Sequence, residues 1–215
     1  MKIYHWLMNL LFPPKCVLCG RLLTKEETDL CRHCRLDAPM FPNCKRKLQF
    51  LDSFTAVWYY EGYVRKSLLQ FKFYGKRHYA AAYGRLLAMV IAKEHPEGFD
   101  ILTWVPVSRL RKLRRGYDQV ELIARAVGEE LGMVPIPTLK KVRHNRAQSG
   151  LEGAAARRAN VLGAYRCVQT VTDKRILLLD DILTTGATAG EAARTLKTMG
   201  AKEVHCAAVA ARKES

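Results

Sequence analysis

The amino-acid sequence predicts an α/β protein in which helices flank a mostly parallel sheet. From residue 99 onward, short apolar stretches typical of buried strands alternate with stretches whose apolar residues recur at helical spacing. This alternation favours parallel strands that are joined by helices. The 215 residues suffice for one sizeable core with a small module attached, and they contain no apolar run of about 18 residues that would span a membrane.

The predicted elements divide the chain into two parts. The first 47 residues hold an expected short amphipathic helix, a cysteine cluster and four of the eight prolines, and residues 48–215 form the expected α/β domain. Strands are predicted at residues 53–60, 101–105, 176–179 and 204–210. Helices are predicted at residues 78–93, 118–131 and 189–199, the last ending at Gly200.

Five of the seven cysteines lie near the N-terminus in a pattern typical of a metal site. Two C-x-x-C pairs, with eleven residues between them, can supply a tetrahedral set of thiolates to zinc at about 2.3 Å. The predicted ligands are Cys16, Cys19, Cys31 and Cys34. Because four thiolates leave no open coordination position, we expect the zinc to be structural. Cys44 is a fifth candidate without a pair, since Lys47 stands where the second cysteine would be.

The segment after residues 176–179 has the composition of a phosphate-binding loop. Asp180 and Asp181 follow the predicted strand, at the sheet edge where ligands bind in open α/β folds. The next residues allow backbone N–H groups to converge on a phosphate at a helix N-terminus: Thr184, Thr185, Gly186, Ala187 and Thr188. The two carboxylates suit the hydroxyl pair of a ribose, directly or through Mg²⁺. The sequence therefore predicts a ribose 5-phosphate site, and the lack of a Gly-Lys-Ser/Thr sequence argues against a Walker A loop.

DDILTTGAT at residues 180–188 closely resembles the motif with which type I phosphoribosyltransferases bind phosphoribosyl pyrophosphate (PRPP). Together with the C-x-x-C pairs, it makes nearly the whole chain similar to the ComF family of competence proteins. Further matches are VPVS at 105–108, RRGYDQ at 114–119, R-x-Q-x-x-L at 146–151 and R-x-x-N-V at 157–161. The resemblance implies a type I phosphoribosyltransferase-like fold that binds PRPP with Mg²⁺. It also implies a role in handling incoming single-stranded DNA during natural transformation.

The same resemblance assigns a pyrophosphate-binding loop directly after the strand predicted at residues 101–105. Its residues are Pro106, Val107, Ser108 and Arg109. The basic segment 140–146 has the composition of a mobile hood over the site, which is where this fold carries its flexible loop. Relatives carry a further cysteine where Lys47 stands, so the role of Cys44 is left open.

The charge of the chain points to a polyanionic partner. The chain has 36 Lys and Arg against 20 Asp and Glu, a formal net charge of +16. Because a small phosphorylated ligand cannot engage all of these charges, we predict that single-stranded DNA also binds. The candidate DNA contacts are Arg111, Lys112, Arg114, Arg115, Lys140, Lys141, Arg143 and Arg146. Candidate stacking aromatics, each of which could instead be a packing residue, are Phe71, Phe73, Tyr74 and Tyr117.

Three functions stay open at this point. The chain could bind PRPP and single-stranded DNA without catalysis, or it could be an active phosphoribosyltransferase whose catalytic residues and acceptor the sequence leaves unknown. It could also be a scaffold that docks a DNA-translocating helicase or other competence proteins. We expect a cytoplasmic location, and exposure of Trp6, Leu7 and Leu10 would allow loose association with the inner face of the membrane.

Overall fold

The computed structural model describes residues 13–42, 48–143 and 159–213. The expected N-terminal helix and Cys44 lie outside these ranges, as do residues 144–146 of the predicted hood and the motif at 146–151. Within the described ranges, no helix is long and apolar enough to span a bilayer.

The core of the fold is a four-stranded parallel sheet in the order β1-β6-β5-β2, which confirms the predicted α/β class. A separate antiparallel pair is formed by β3 and β4. The strands are β1 (Ser53–Tyr59), β2 (Ile101–Trp104), β3 (Leu139–Lys141), β4 (Tyr165–Cys167), β5 (Arg175–Leu183) and β6 (Glu203–Ala211). All four predicted strands are present, each within a few residues of its expected bounds.

In the described ranges, the helices with assigned bounds include the three predicted ones and three more. They are α1 (Arg32–Asp37), α2 (Gly62–Phe73), α3 (Tyr79–Glu94), α4 (Arg109–Arg115), α5 (Gln119–Leu131) and α6 (Ala187–Thr198). Helix α5 begins at a side-chain cap, because the Asp118 carboxylate accepts hydrogen bonds from the backbone N–H groups of Val120 (3.0 Å) and Glu121 (3.2 Å). It ends at Gly132, whose positive φ of 66° suits glycine at a helix C-terminus.

The two faces of the sheet bury different helices. Leu177 and Leu179 of β5 pack with residues of α2, α3 and α5. Their neighbours Ile176 and Leu178 point to the other face and pack with α6. This alternation follows from the two-residue period of a strand, and burial on both faces explains the continuous apolar run of β5.

The cysteine segment packs against the same core as the helices. Val17 and Leu18 belong to one buried cluster with Trp58 of β1. The Asp29 carboxylate forms a two-pronged ion pair with Arg85 of α3, in which Arg85 Nε lies 2.9 Å from Asp29 Oδ2. The division at residue 47 thus separates two segments that share a hydrophobic core.

Two expectations about local structure need correction. Strand β5 does not end before the acidic pair but continues to Leu183, because β6 runs beside it and pairs Leu183 with Ala211. Asp180 and Asp181 are therefore strand residues. Helix α6 begins at Ala187 rather than at residue 189, so Ala187 and Thr188 lie in its first turn.

Candidate functional site

The two C-x-x-C pairs converge on one point. The Sγ atoms of Cys16, Cys19, Cys31 and Cys34 all lie within 4.8 Å of one another. The Sγ atoms of Cys19 and Cys31 are 3.7 Å apart, and a tetrahedron with Zn–S bonds of about 2.3 Å has edges of about 3.8 Å. The four thiols therefore fit a closed tetrahedral thiolate site of the structural zinc type.

A cavity of about 830 Å³ opens where β2 and β5 end. Its walls come from the segment after β2, helices α2, α4 and α5, the β3–β4 pair, the end of β5 and the start of α6. The predicted site residues that line it are Pro106, Val107, Arg111, Arg114, Arg115, Lys141, Asp180, Asp181, Thr184 and Thr188. Residues from widely separated parts of the sequence thus meet at the sheet edge where ligands bind in parallel α/β folds.

The other predicted residues lie beside this cavity or away from it. Ser108, Arg109, Thr185, Gly186 and Ala187 are chain neighbours of lining residues without lining it themselves. Two of the candidate DNA contacts are engaged by the protein: Lys112 Nζ lies 3.1 Å from Glu121 Oε2, and Arg143 Nη1 donates to the carbonyl of Leu162 at 3.1 Å. Lys140 is exposed on β3 and is not a lining residue.

The acidic pair is buried and held by two side chains from distant helices. Lys72 Nζ of α2 lies 2.8 Å from Asp181 Oδ1, and Gln119 Nε2 of α5 lies 2.8 Å from Asp181 Oδ2. The Asp180 carboxylate accepts a hydrogen bond from the backbone N–H of Asp181 at 2.8 Å. Burial, together with the neighbouring Asp181 charge, raises the pKa of Asp180. A cation or hydroxyl donors at this point would offset the close approach of two carboxylates.

Lys72 and Gln119 were not assigned to the site from the sequence. Gln119 stands within the RRGYDQ motif, directly after the residue that caps α5, which is the local signal that pointed toward it. Lys72 had no comparable signal, since its only distinguishing neighbours are the aromatic residues at the end of α2.

Two residues of the cavity wall carry a buried polar atom without a hydrogen-bond partner. Within the described part of the chain, Gln119 Oε1 and the Tyr165 hydroxyl make no hydrogen bond. Both residues line the cavity. Unsatisfied buried polar atoms are uncommon in folded proteins, and neither of these atoms has surface open to the cavity. The carboxylates and the surrounding cations together fit Mg²⁺ with a phosphorylated ribose.

The turn between β5 and α6 has the geometry of a phosphate cradle. Gly186 has a positive φ of 72° and directly precedes the first helical residue. The Thr185 hydroxyl accepts a hydrogen bond from the N–H of Ala187 at 3.4 Å, while Thr184 and Thr188 line the cavity. A phosphate at the start of α6 would meet the positive end of the helix dipole.

Positive charge dominates the cavity wall. Among the residues that the structure describes, seven basic ones and two acidic ones line it. The basic ones are Arg65, Lys72, Arg111, Arg114, Arg115, Lys141 and Arg212. Burial lowers the pKa of Arg115, and it lowers that of Lys141 to about 8 with a further contribution from Arg111. Arg115 and Lys141 are thus half-buried, and a charge that is partly removed from water attracts an anionic ligand more strongly.

The four candidate stacking aromatics fall into two pairs. Phe71 and Tyr117 are buried, and the Tyr117 hydroxyl donates to the carbonyl of Phe71, so both are packing residues. The packing alternative therefore holds for these two residues, although Tyr117 also lines the cavity. Phe73 and Tyr74 are exposed.

Comparisons with known proteins agree with this architecture. A family described as phosphoribosyl transferase domain matches residues 113–215, and one described as double zinc ribbon domain matches residues 7–52. The fold and the clustered thiols define a phosphoribosyltransferase-like protein with an N-terminal zinc-binding module.

Curated relatives cover most of the chain. DNA utilization protein YhgH of Salmonella typhi is 30% identical over 198 residues, covering 88% of this chain and 86% of its own. Competence protein F of Haemophilus influenzae is 25% identical over 215 residues, covering 88% of this chain and 93% of its own. Competence protein ComFC of Streptococcus pneumoniae is 28% identical over 221 residues, covering 88% of this chain and 96% of its own. The chain belongs to the ComF family of competence proteins.

Among solved structures, an allosteric regulatory enzyme of purine biosynthesis matches 66% of this chain and 30% of its own, at 21% identity and a TM-score of 0.43.

Proposed function

We propose that this protein acts in DNA uptake and that its cavity binds Mg²⁺–PRPP and single-stranded DNA. The names of its relatives, competence protein and DNA utilization protein, support the role in DNA uptake. One observation carries the ligand assignment: a single cavity combines an acidic pair, the start of a helix and a majority of basic residues.

The PRPP assignment follows from matching each chemical group of the ligand to the wall. The 5-phosphate binds at the N-terminus of α6, beside Thr184 and Thr188. The ribose hydroxyls bind at Asp180 and Asp181, with Mg²⁺ supplying the charge that the carboxylates need. The diphosphate lies along the segment that begins at Pro106, where Arg111 is available for charge-assisted hydrogen bonds.

The DNA assignment follows from the surplus of charge. A monophosphate and a diphosphate cannot occupy all seven basic side chains of the cavity wall. A single strand presents phosphates at regular intervals, and binding it releases a counterion for each phosphate that is neutralised. The cations of α4, at positions 111, 114 and 115, form the part of the wall best suited to such a backbone.

The first test is calorimetry of Mg²⁺–PRPP binding to the double variant Asp180→Asn/Asp181→Asn. We expect at least about a tenfold loss of affinity, because neutral amides cannot hold Mg²⁺ or orient the ribose hydroxyls in the same way. The control is Glu129→Gln/Glu130→Gln on the exposed end of α5, which removes the same formal charge away from the cavity. An unchanged affinity in the Asp double variant would contradict the ribose assignment.

Phosphoribosyl transfer is a second candidate, favoured by the retention of both carboxylates in the wall of the cavity. Pyrophosphate release from PRPP, measured with and without oligonucleotide, distinguishes an enzyme from a binding protein. The docking of a DNA-translocating helicase and the cytoplasmic location, with or without contact to the membrane face, stay predictions.

A further inference from the structure

An exposed aromatic ring stands at the rim of the cavity. Phe73 is the last residue of α2 and is 61% exposed, and Tyr74 beside it is 74% exposed. Two residues earlier in the same helix, Phe71 is fully buried. Phe73 also lines the cavity, which Tyr74 does not. An exposed aromatic ring beside basic residues offers a face on which a nucleobase can stack.

A guanidinium group lies against this ring. The guanidinium carbon of Arg115 lies 4.9 Å from the centroid of Phe73, within the range of a cation–π contact. Arg65 of α2 lines the same cavity. An aromatic face with guanidinium groups next to it is the combination with which proteins hold single-stranded nucleic acid: the base stacks on the ring and the phosphates pair with the arginines.

The arginines next to Phe73 also belong to the PRPP site. Arg115 is close enough to Asp181 for the carboxylate charge to act on its pKa. Arg111 and Arg114 line the cavity that holds Asp180 and Thr184. A strand seated on Phe73 therefore places its phosphates where the diphosphate of PRPP needs positive charge.

We propose that Phe73 stacks against an unpaired base of single-stranded DNA at the cavity rim, and that the bound strand and PRPP exclude each other. This inference rests on the proposed function and assigns the residue and the regulation within it. High PRPP would release the strand, and low PRPP would favour its capture.

The stacking surface is tested by anisotropy with two labelled oligomers of equal length and charge, oligo(dT) and a fully abasic strand. Phe73→Ala should weaken oligo(dT) binding by about tenfold to a hundredfold and leave abasic binding unchanged. Phe73→Trp should restore binding, and its indole fluorescence should be quenched by oligo(dT). The matched control is Met89→Ala, an exposed apolar residue of α3 that is not part of the cavity wall.

Three results would overturn the stacking surface. Equal affinity of the wild type for both oligomers would show that bases are not read. An equal effect of Phe73→Ala on both oligomers would show a general disturbance of the cavity. Loss of binding to anionic phosphatidylserine vesicles with unchanged DNA binding would make Phe73 part of a lipid-binding surface, together with the exposed Leu110 and Leu113 of α4.

The exclusion is tested by titrating Mg²⁺–PRPP into the preformed complex with oligo(dT). We expect complete displacement, with an apparent DNA dissociation constant that rises in proportion to the PRPP concentration. Saturation with PRPP at unchanged DNA affinity overturns the exclusion while leaving the proposed function intact. Failure of the wild type to bind either ligand alone contradicts the proposed function itself.

Discussion

At the scale of single residues, Lys141 combines position in the cavity with a charge that changes near neutral pH. Burial and the positive charge of Arg111 lower the pKa of its ammonium group to about 8, and its Nζ lies 5.3 Å from the ring centroid of Tyr165. A lysine with a lowered pKa is charged below that value and neutral above it. The anion affinity of the cavity should therefore fall as the pH rises through about 8.

Lys141→Arg should remove this pH dependence, because arginine keeps its charge throughout the range. The measurement is PRPP affinity by calorimetry at pH 7, 8 and 9, where we expect the wild type to lose up to about tenfold more affinity than the variant. Lys140→Arg is the matched control, since Lys140 is exposed on the same strand and should leave the pH dependence unchanged. Parallel pH profiles for the wild type and Lys141→Arg would contradict the prediction.

Which site residues could be predicted depended on how local their pattern is. The acidic pair and the four cysteines stand in short motifs whose chemistry can be read without knowing the fold. Lys72 contacts Asp181 across 109 positions of sequence, and Gln119 contacts it across 62. Such partners are brought together by the packing of α2 and α5 on the sheet, which no short pattern records.

At the scale of elements, the crossing of α3 and α5 depends on a glycine. A Cβ atom at Gly84 would lie 2.3 Å from the Cβ of Ala126 and 2.8 Å from its carbonyl carbon. The two helices approach so closely there that only hydrogen fits. This contact fixes the position of α5 against α3. The first residue of α5, Gln119, donates a hydrogen bond to Asp181 of the acidic pair.

Gly84→Ala should therefore destabilise the protein, although alanine favours a helix by about 1 kcal/mol over glycine. We expect a net loss of about 1–2 kcal/mol in the free energy of unfolding, measured by urea denaturation, since overpacking a core contact outweighs the gain in helix propensity. Met89→Ala on the exposed side of α3 should change stability by less than about 0.5 kcal/mol. A more stable Gly84→Ala variant would show that the helices separate without loss.

Strand β5 and helix α4 differ from the sequence-based prediction for two separate reasons. Aspartate is depleted in strands, so the sequence pattern ends β5 before Asp180. Pairing with β6 as far as Ala211 overrides that preference. The basic run after Ser108 folds as α4 because the Ser108 hydroxyl caps it and Gly116, at a φ of 74°, ends it. Both the Ser108 cap and Gly116 can be recognised in the sequence, but the charge of the segment between them predicts only a contact to anions and not a helix.

At the scale of the whole molecule, the zinc-binding module and the α/β sheet should unfold together. Val17 and Leu18 are buried in one cluster with Trp58, and the Ser67 hydroxyl of α2 donates a hydrogen bond to the carbonyl of Val17. Loss of the metal leaves four thiolates without their shared cation and removes folding free energy.

Removing the metal with a chelator, or replacing Cys16 by serine, should lower the midpoint of thermal unfolding for the entire chain in one transition. Calorimetry with metal analysis of the same samples makes the measurement. Cys167→Ser serves as the control, because this partly exposed thiol lies on β4 away from the cluster and should not change metal content. Two separate transitions, with the higher one unmoved, would show that the sheet folds independently of the module.

The global properties of the sequence predicted the excess of positive charge better than the arrangement of the chain. The net charge of +16 indicated a polyanion, and seven basic residues do line one cavity. Composition could not show which of the 36 basic residues gather there. The shared core of the two segments was hidden as well, because the first 47 residues have little hydrophobic periodicity.

Helix α2 contacts both the zinc-binding module and the acidic pair. Ser67 bonds to the zinc-binding module, and Lys72, five positions later and about 7.5 Å along the axis, pairs with Asp181. Loss of zinc should therefore disturb the acidic pair, to which we assign the ribose. Under the proposed function, bacteria grown with scarce zinc would take up foreign genes poorly even when every gene of the uptake machinery is expressed.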